Sequence, residues 1–375
     1  MLNRYGQGMT RSSRVRRPAT LASLAAELGV SRTTVSNAYN RPDQLSVQLR
    51  TRVLEAARRL GYPGPDPVAR SLRTRRARAV GLLLTEELSF AFRDPAALGF
   101  LEGLAQACES AGQGLLLIPA SARHADMAAV HQASVDGFVV YSVPEGDPHF
   151  AAVLQRPLPT VVADQPMNTP GVDRVGVDDR GGMRALADHL LALGHRRIGV
   201  VCMRLRNSRF DGLVDIERQH GAVFAVQRER LAGLRDGLAE AGVDWADVPV
   251  MERFEHTEEA GASAAGELLS HHPELTAVVC TSDVLALGAL RLAAERGWAV
   301  PGDLTVTGFD GIPEAIRAGL TTIRQPVRAK GRTAGELLLD RGERTEPRSV
   351  ELPTELVTGS TSGPARSADR WFSGL

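Results

Sequence analysis

The sequence is poor in cysteine, and its three cysteines, Cys108, Cys202 and Cys280, lie far apart and form no CxxC pair. This spacing favours neither a zinc site nor a disulfide framework, and it suits a reducing compartment. No apolar run approaches the roughly 18 residues of a membrane-spanning helix, and the N-terminus carries arginine and glycine where a signal peptide needs an unbroken apolar stretch. We therefore expect a cytoplasmic protein without a membrane partner.

Catalytic motifs are scarce as well. The segment GASAA around Ser263 has Ala265 where the GxSxG nucleophile elbow has glycine, and GQGMTR near the N-terminus lacks the dinucleotide-binding pattern. HExxH and Walker motifs do not occur, and the adjacent His271 and His272 would point apart on a helix or a strand. The sequence therefore predicts no enzyme, no cofactor and no metal site.

Lysine is nearly absent, because Lys330 is the sole lysine among 44 basic residues, and we interpret this as an effect of genomic base composition. The charges that are present divide unevenly along the chain. The first 78 residues contain 16 arginines and 4 acidic residues, a net charge of +12, and the rest of the chain therefore carries −12. A basic head joined to an acidic body indicates a protein that binds a polyanion.

Residues 19–62 have the apolar spacing of three short helices. The first, TLASLAAELG, begins at Thr20 and ends at Gly29; the second, SRTTVSNAYN, is capped by Ser31; the third starts at Ser46 and runs to the GY at 61–62. Two helices joined by a glycine turn, the second beginning with polar side chains, have the helix-turn-helix geometry that places one helix in the major groove of DNA. A small helical bundle with solvated polar faces is the alternative.

The second helix supplies the candidate DNA contacts. Arg32, Thr33 and Asn37 suit base edges, because Arg pairs with guanine and Asn with adenine. The hydroxyls at helix N-termini more naturally bind phosphates. The DNA-contacting set is Thr20, Ser31, Arg32, Thr33, Thr34, Ser36, Asn37 and Ser46, with Arg70 and Leu72 in the basic segment that follows.

The segment ATLASLAAELGVSRTTVSNAYNRPDQLS, followed by VLEAARRLGY, resembles the head of lactose-repressor-type (LacI/GalR) regulators almost position by position. The resemblance implies that Arg32 and Thr33 are the main base-reading pair. It also implies that residues 63–78 form a hinge that becomes helical on an operator, where Leu72 would wedge into the minor groove. This hinge is one residue longer than the usual family spacing, and residues 1–18 are expected to be a disordered arm.

From Ala79 to about residue 360, short apolar strands such as AVGLLL and GFVVY alternate with helices, a pattern that predicts parallel sheets with right-handed crossovers. Segments such as CTSDVLALGALRLAAERGWAVPGDLTVTGFDG resemble the family's periplasmic-binding-protein-like core. We therefore predict an all-α, lambda-repressor-like head and an α/β core of two doubly wound parallel-sheet lobes. The resemblance assigns 79–178 and 311–341 to lobe 1 and 179–310 and 342–360 to lobe 2.

Ligands of such sheets bind beyond the carboxyl ends of the strands, which face each other between the lobes. Strand-end positions and family positions together give the predicted effector-binding set: Ser89, Phe90, Phe92, Asp94, Tyr141, Asp164, Arg230, His256, Ser282, Asp310 and Gln325. Asp283 is more typical of a helix cap. Aromatic walls with charged tips suit a sugar or sugar derivative, and an acidic ligand could instead pair with Arg230. Residues 204–227, longer than in shorter family members, are expected to overhang the cleft and influence selectivity.

The resemblance implies a homodimeric repressor that binds double-stranded operator DNA and is controlled by this effector. The tail, 361–375, is rich in serine and glycine, lacks leucine heptads and is predicted to be flexible. Two other classes remain open. A transport-type sugar-binding protein would need a signal peptide and would have no use for a basic head, and an α/β enzyme with an appended DNA-binding head would need catalytic motifs that are missing.

Overall fold

The structure is a computed structural model that describes residues 19–65, 74, 76–84, 88–120, 127–340, 342 and 346–366. Contacts divide the chain into two compact units, Met1–Arg76 and Ala77–Leu375. Each unit has its own hydrophobic core. The predicted arm, 1–18, and most of the predicted hinge lie outside the described residues.

The first unit contains three helices, α1 (Leu21–Leu28), α2 (Arg32–Asn40) and α3 (Val47–Leu60), with a 3₁₀ turn at Pro42–Gln44. Helix α1 ends at Gly29, whose φ of 65° is a left-handed conformation that glycine adopts without a steric penalty. Buried leucine, valine and alanine side chains from all three helices form one small core. The three predicted helices are confirmed.

The second unit begins with β1 (Ala79–Leu84), α4 (Leu88–Ala91), α5 (Pro95–Ser110), β2 (Gly114–Pro119), α6 (Ala128–Gln132), β3 (Phe138–Tyr141), α7 (Pro148–Leu154), β4 (Thr160–Ala163) and β5 (Asp173–Val177). It continues with α8 (Asp179–Ala192), β6 (Ile198–Met203), β7 (Gly212–Leu213), α9 (Ile216–His220), α10 (Ala225–Glu240), β8 (Val250–Arg253), α11 (Glu258–His271), β9 (Ala277–Cys280), α12 (Asp283–Glu295) and β10 (Thr305–Asp310). The last elements are α13 (Pro313–Arg317), β11 (Thr321–Arg324), α14 (Val327–Leu339), β12 (Ser349–Leu352) and β13 (Glu355–Val357).

These elements form two sheets, one in each lobe. Lobe 1 has the strand order β12-β5-β4-β3-β1-β2 with parallel pairing. Lobe 2 has the order β13-β11-β10-β9-β6-β8-β7, in which the edge strands β13 and β7 are antiparallel to their neighbours. Central strands such as AVVC at 277–280 are buried along their whole length, as expected when helices cover both faces of a parallel sheet.

The predicted lobe boundaries need two corrections. Strand β11, assigned to lobe 1, pairs in parallel with β10 of lobe 2, so the chain returns to lobe 1 only at Gln325–Pro326, before α14 packs on α5. Strand β12, assigned to lobe 2, pairs with β5 of lobe 1, and the chain crosses to β13 through Pro353 and Thr354. Both errors concern a short strand next to a crossing between the lobes, and the hydrogen-bonding partner of such a strand is not encoded in its local pattern.

The predicted flexible tail is also wrong for residues 361–366, which pack against lobe 2. Thr361 is buried; its Oγ1 donates to the Val306 carbonyl at 2.7 Å and accepts from the Thr321 backbone N–H at 2.9 Å. The Arg366 guanidinium donates to the carbonyls of Pro273 and Leu275. Thr361 thus pairs with backbone groups of β10 and β11, and residues 367–375 lie outside the described range.

Among the described residues, no helix is both long enough and apolar enough to cross a membrane.

The contact between α5 and α14 depends on glycine, and we predict that Gly331→Ala destabilises the protein. A Cβ at Gly331 would lie 2.0 Å from the Phe100 carbonyl oxygen, so one backbone has to move. We expect a loss of at least about 2 kcal/mol in the free energy of unfolding, measured by urea denaturation. The matched control is Gly266→Ala in α11, where the added methyl makes an ordinary 3.4 Å contact with Leu292 and should change stability by about 1 kcal/mol or less. Equal midpoints for the two variants would contradict the prediction.

Candidate functional site

The first unit exposes the start of α2 to solvent. Arg32 and Thr33 are exposed, whereas Val35 on the opposite face is fully buried. Thr20, Ser31 and Ser46 are the N-caps of α1, α2 and α3, and each side-chain oxygen accepts a hydrogen bond from the backbone N–H three residues further on. An exposed polar first turn that follows a tight glycine turn is the arrangement that reads base edges in the major groove.

Other predicted DNA contacts also have partners inside the first unit. Asn37 Nδ2 donates to Gln44 Oε1 at 3.2 Å, and Ser36 Oγ accepts from Asn40 Nδ2 at 3.1 Å. Thr34 Oγ1 lies 2.9 Å from the Ser31 hydroxyl. These hydrogen bonds hold the side chains in defined positions. The DNA contacts of these residues stay predictions. The predicted contacts Arg70 and Leu72 lie outside the described residues.

In the second unit, a cavity of about 150 Å³ lies between the two lobes at the carboxyl ends of the strands. Seven of the predicted effector-binding residues line it: Asp94, Tyr141, Asp164, Arg230, His256, Asp310 and Gln325. The cavity lies between the two sheets, and the carboxyl ends of strands from both sheets face it. The sequence prediction therefore identified much of the lining.

Ser89, Phe92 and Ser282 are not part of this lining. Phe92 has 58% of its surface exposed, and Ser89 is exposed in the short helix α4. Ala91, the last residue of that helix, lines the cavity instead. Ser282 is the N-cap of α12, the role predicted for Asp283, and its Oγ lies 2.8 Å from His256 Nε2. The side chain of Phe90 lies outside the described part of the chain.

Arg230, on α10, is a buried cation in lobe 2 with two carboxylates close to it. Its guanidinium donates to Asp179 Oδ1 at 2.8 Å and to the Thr281 carbonyl at 2.6 Å, and it lies 3.3 Å from Asp310 Oδ1. The guanidinium carbon also lies 3.6 Å from the centre of the Phe309 ring. Burial raises the pKa of Asp179 to about 6, although the Arg230 charge acts in the opposite direction. Arg230 is thus already paired before any ligand binds.

Lys330, on α14, is a buried cation in lobe 1. Its ammonium donates to both carboxylate oxygens of Asp164, at 2.7 and 2.8 Å, and to Gln325 Oε1 at 2.7 Å. The Gln325 amide in turn donates to Asp310 Oδ1 at 2.7 Å. The sequence prediction missed Lys330; its isolation as the only lysine was the available signal, and the structure assigns that lysine to a buried ion pair.

Two residues of this network have strained backbones. Asp164 has φ 68° and Asp310 has φ 121°, in the left-handed region that residues with a Cβ seldom adopt. Such strain persists where surrounding contacts fix the residue, and it concentrates at binding sites. Both carboxylates are therefore held in place before a ligand arrives.

The remaining polar groups of the cavity are partly buried. Burial lowers the pKa of His256 to about 4, so this imidazole is neutral at pH 7. Burial also raises the pKa of Asp94, which caps α5 by accepting from the Ala96 backbone N–H at 3.1 Å. Tyr141 stacks on Phe100 with ring centres 4.1 Å apart. Within the described residues no cluster of three or more His, Cys, Asp or Glu side chains could hold a metal ion.

Part of the cavity lining comes from the 204–227 segment and from the residues that follow β8. Arg204, Phe224, Val226 and Gln227 line the cavity from this segment, and Phe254 follows β8. The sequence did not reveal these side chains, because the segment has no periodicity that shows which of them turn inward.

Comparisons with known proteins agree with this architecture. Residues 20–64 match the family model "Bacterial regulatory proteins, lacI family", and residues 187–362 match a periplasmic binding protein-like domain. An HTH-type transcriptional regulator of Mycobacterium tuberculosis is 55% identical over 352 residues, which cover 93% of this chain and 98% of the relative. The crystal structure of a LacI-family regulator from Corynebacterium glutamicum, 44% identical, covers 92% of this chain and 99% of that chain with a TM-score of 0.71.

A complex of the regulator CelR with cellobiose is also similar, with 29% identity, a TM-score of 0.67 and coverage of 92% of this chain and all of that chain. The fold and these identities define a class: a DNA-binding transcriptional regulator with an attached two-lobed α/β domain. The chain belongs to the LacI family of bacterial transcriptional regulators.

We predict that Lys330→Met destabilises the protein by about 3–5 kcal/mol, because the buried Asp164 carboxylate loses its cation. The double variant Lys330→Met, Asp164→Asn should recover part of this loss, since it leaves no unpaired carboxylate. Urea denaturation measures both. The control is Arg184→Met, which breaks an exposed pair with Glu240 and should cost about 1 kcal/mol or less. A Lys330→Met midpoint equal to that of the control would show that the pair does not stabilise the lobe.

Proposed function

We propose that the protein is a cytoplasmic, homodimeric repressor whose affinity for an operator is controlled by a sugar or sugar derivative bound between the lobes. The observation that carries the proposal is the interlobe cavity with its preformed polar lining, in a chain that also has an exposed DNA-reading helix. A ligand in this position contacts both lobes and so can stabilise one lobe arrangement over another.

The charged side chains of the site are already paired with one another, and this pairing favours a neutral, polyhydroxylated ligand. Arg230 is paired with Asp179 and Asp310, and Lys330 is paired with Asp164, so an acidic ligand would have to compete with carboxylates already in place. Hydroxyl groups, in contrast, both donate and accept hydrogen bonds and can join such a network without displacing an ion. Tyr141, Phe224 and Phe254 supply the apolar surface that suits a sugar ring.

The lobes are joined across the cleft, which gives the ligand a means of acting at a distance. The Glu145 backbone N–H donates to the Val223 carbonyl at 3.0 Å, and the Val226 N–H donates to Gln165 Oε1 at 3.0 Å. A ligand that prefers one lobe angle shifts the balance of these contacts. Coupling of this kind amounts to about 1–3 kcal/mol and is reciprocal, so an effector that weakens operator binding is itself bound less tightly on the operator.

At the DNA, we propose that Arg32, Thr33 and Asn37 contact bases, that Thr20, Ser31, Ser36 and Ser46 hold phosphates, and that Thr34 is a further contact. Hydroxyl groups at helix N-termini are suited to phosphate oxygens even while they cap their helices, because a hydroxyl can accept and donate at once. The basic segment with Arg70 and Leu72 is proposed to contact the minor groove between the two heads of a dimer.

Fluorescence-polarisation binding to a pool of fragments from the native genome, including the region upstream of the gene, tests the DNA part. We expect one palindromic site to be retained selectively, with affinity falling steeply as salt increases. Arg32→Ala should weaken binding to that site by about 1–3 kcal/mol and relax the preference for one base pair. Arg59→Ala removes the same charge from an arginine paired with Glu27 and should leave the base preference unchanged.

The effector part is tested by adding a panel of sugars to the operator complex. One sugar should shift the operator affinity of the wild-type protein, and Arg230→Met should abolish that shift. Equal, weak binding to every fragment, together with no response to any sugar, would contradict the proposed function.

A further inference from the structure

The residues of the 204–228 segment that line the cavity, together with Phe254, form what we term the roof. Arg204 is its central side chain, and the guanidinium carbon lies 4.9 Å from the centre of the Phe224 ring and 5.2 Å from that of Phe254. Two aromatic contacts of this kind fix the position of a guanidinium. The roof thus combines apolar rings with a cationic donor.

A buried ion pair anchors the roof to lobe 2. Glu252 in β8 is fully buried, and its two carboxylate oxygens accept from Arg218 Nε at 2.6 Å and from Arg218 Nη2 at 2.8 Å. The same carboxylate accepts from the Leu205 backbone N–H at 3.0 Å, directly after Arg204. Bidentate pairs of this kind define orientation as well as distance. The segment is therefore a fixed part of lobe 2 although it is long.

The other end of the roof is fastened to lobe 1. Arg228 Nη2 lies 3.0 Å from Glu145 Oε1, and the backbone of Glu145 bonds to Val223. Gln165 Oε1 accepts from the Val226 N–H and its amide donates to the Ser142 carbonyl at 3.1 Å. The roof is thus held on both sides of the cavity.

The space beneath a roof held in this way is small. An engineered apolar cavity of about 150 Å³ binds benzene, a single six-membered ring, and the cavity here has about the same volume. The CelR complex contains cellobiose, a disaccharide, so the shared fold does not itself limit ligands to one ring. We infer that the roof restricts the effector of this protein to a single-ring, polyhydroxylated ligand of monosaccharide size. The inference rests on the proposed sugar-effector function.

Calorimetric titration of the full-length protein tests the inference with two matched sets of probes. One set contains sugars and polyols of five or six carbons, and the other contains disaccharides built from the same sugars, cellobiose included. We expect one single-ring compound to bind at least 100-fold more tightly than any disaccharide that contains it. A disaccharide that binds as tightly as its component would overturn the inference and leave the sugar-effector proposal standing. Binding by neither set would overturn the sugar-effector proposal, and with it the inference.

Variants establish whether the roof is the cause of the size limit. Phe224→Ala removes one ring from above the cavity and should reduce the discrimination against disaccharides at least tenfold. Arg228→Gln releases the contact with Glu145 and should speed dissociation of the single-ring ligand and also reduce discrimination. Arg184→Gln is the matched control, because Arg184 and Glu240 form an Arg–Glu pair within lobe 2. Thermal unfolding identifies folded variants, and full discrimination in both roof variants would overturn the inference.

Discussion

Six side chains form a continuous path of ion pairs and hydrogen bonds between the lobes, from Asp164 through Lys330, Gln325, Asp310 and Arg230 to Asp179. Charges this deeply buried require partners, since the cost of removing an ion from water is recovered only when its geometry is well satisfied. The path therefore fixes where strands β4, β10 and β11 end relative to one another. The cavity, the orientation of its walls and the contact between the lobes all depend on that arrangement.

The same path of ion pairs and hydrogen bonds explains why strained backbone conformations persist at this site. Asp164 and Asp310 adopt left-handed backbone conformations, and each carboxylate is held by a charged or amide donor. A ligand that enters such a site spends little free energy on ordering its partners, and this preorganisation favours tight binding of ligands with the matching shape. The partly buried, neutral His256 adds a donor or an acceptor without adding charge.

Local patterns in the sequence were sufficient to predict the helices of the first unit and part of the cavity lining. Helical spacing and caps located α1, α2 and α3, and strand ends located Asp94, Tyr141 and Asp164, because the carboxyl ends of parallel strands always meet at one edge. Phe224 and Arg204 could not be found in this way, since their positions depend on how a long irregular excursion folds back over the cleft. The lobe assignments of β11 and β12 failed because pairing between distant strands has no local signal. Lys330 was missed because a single lysine on a helix, here α14, is usually exposed to solvent.

The scarcity of lysine has a consequence for regulation. The 16 arginines of the first 78 residues carry all of the positive side-chain charge there, and the one lysine of the chain is buried in lobe 1. Acetylation neutralises lysine and cannot neutralise a guanidinium in the same way. Acetyltransferases and reactive acyl donors, which weaken many DNA-binding proteins, thus have no lysine to modify in this head. The electrostatic attraction of this head to DNA therefore does not depend on the acylation state of any lysine.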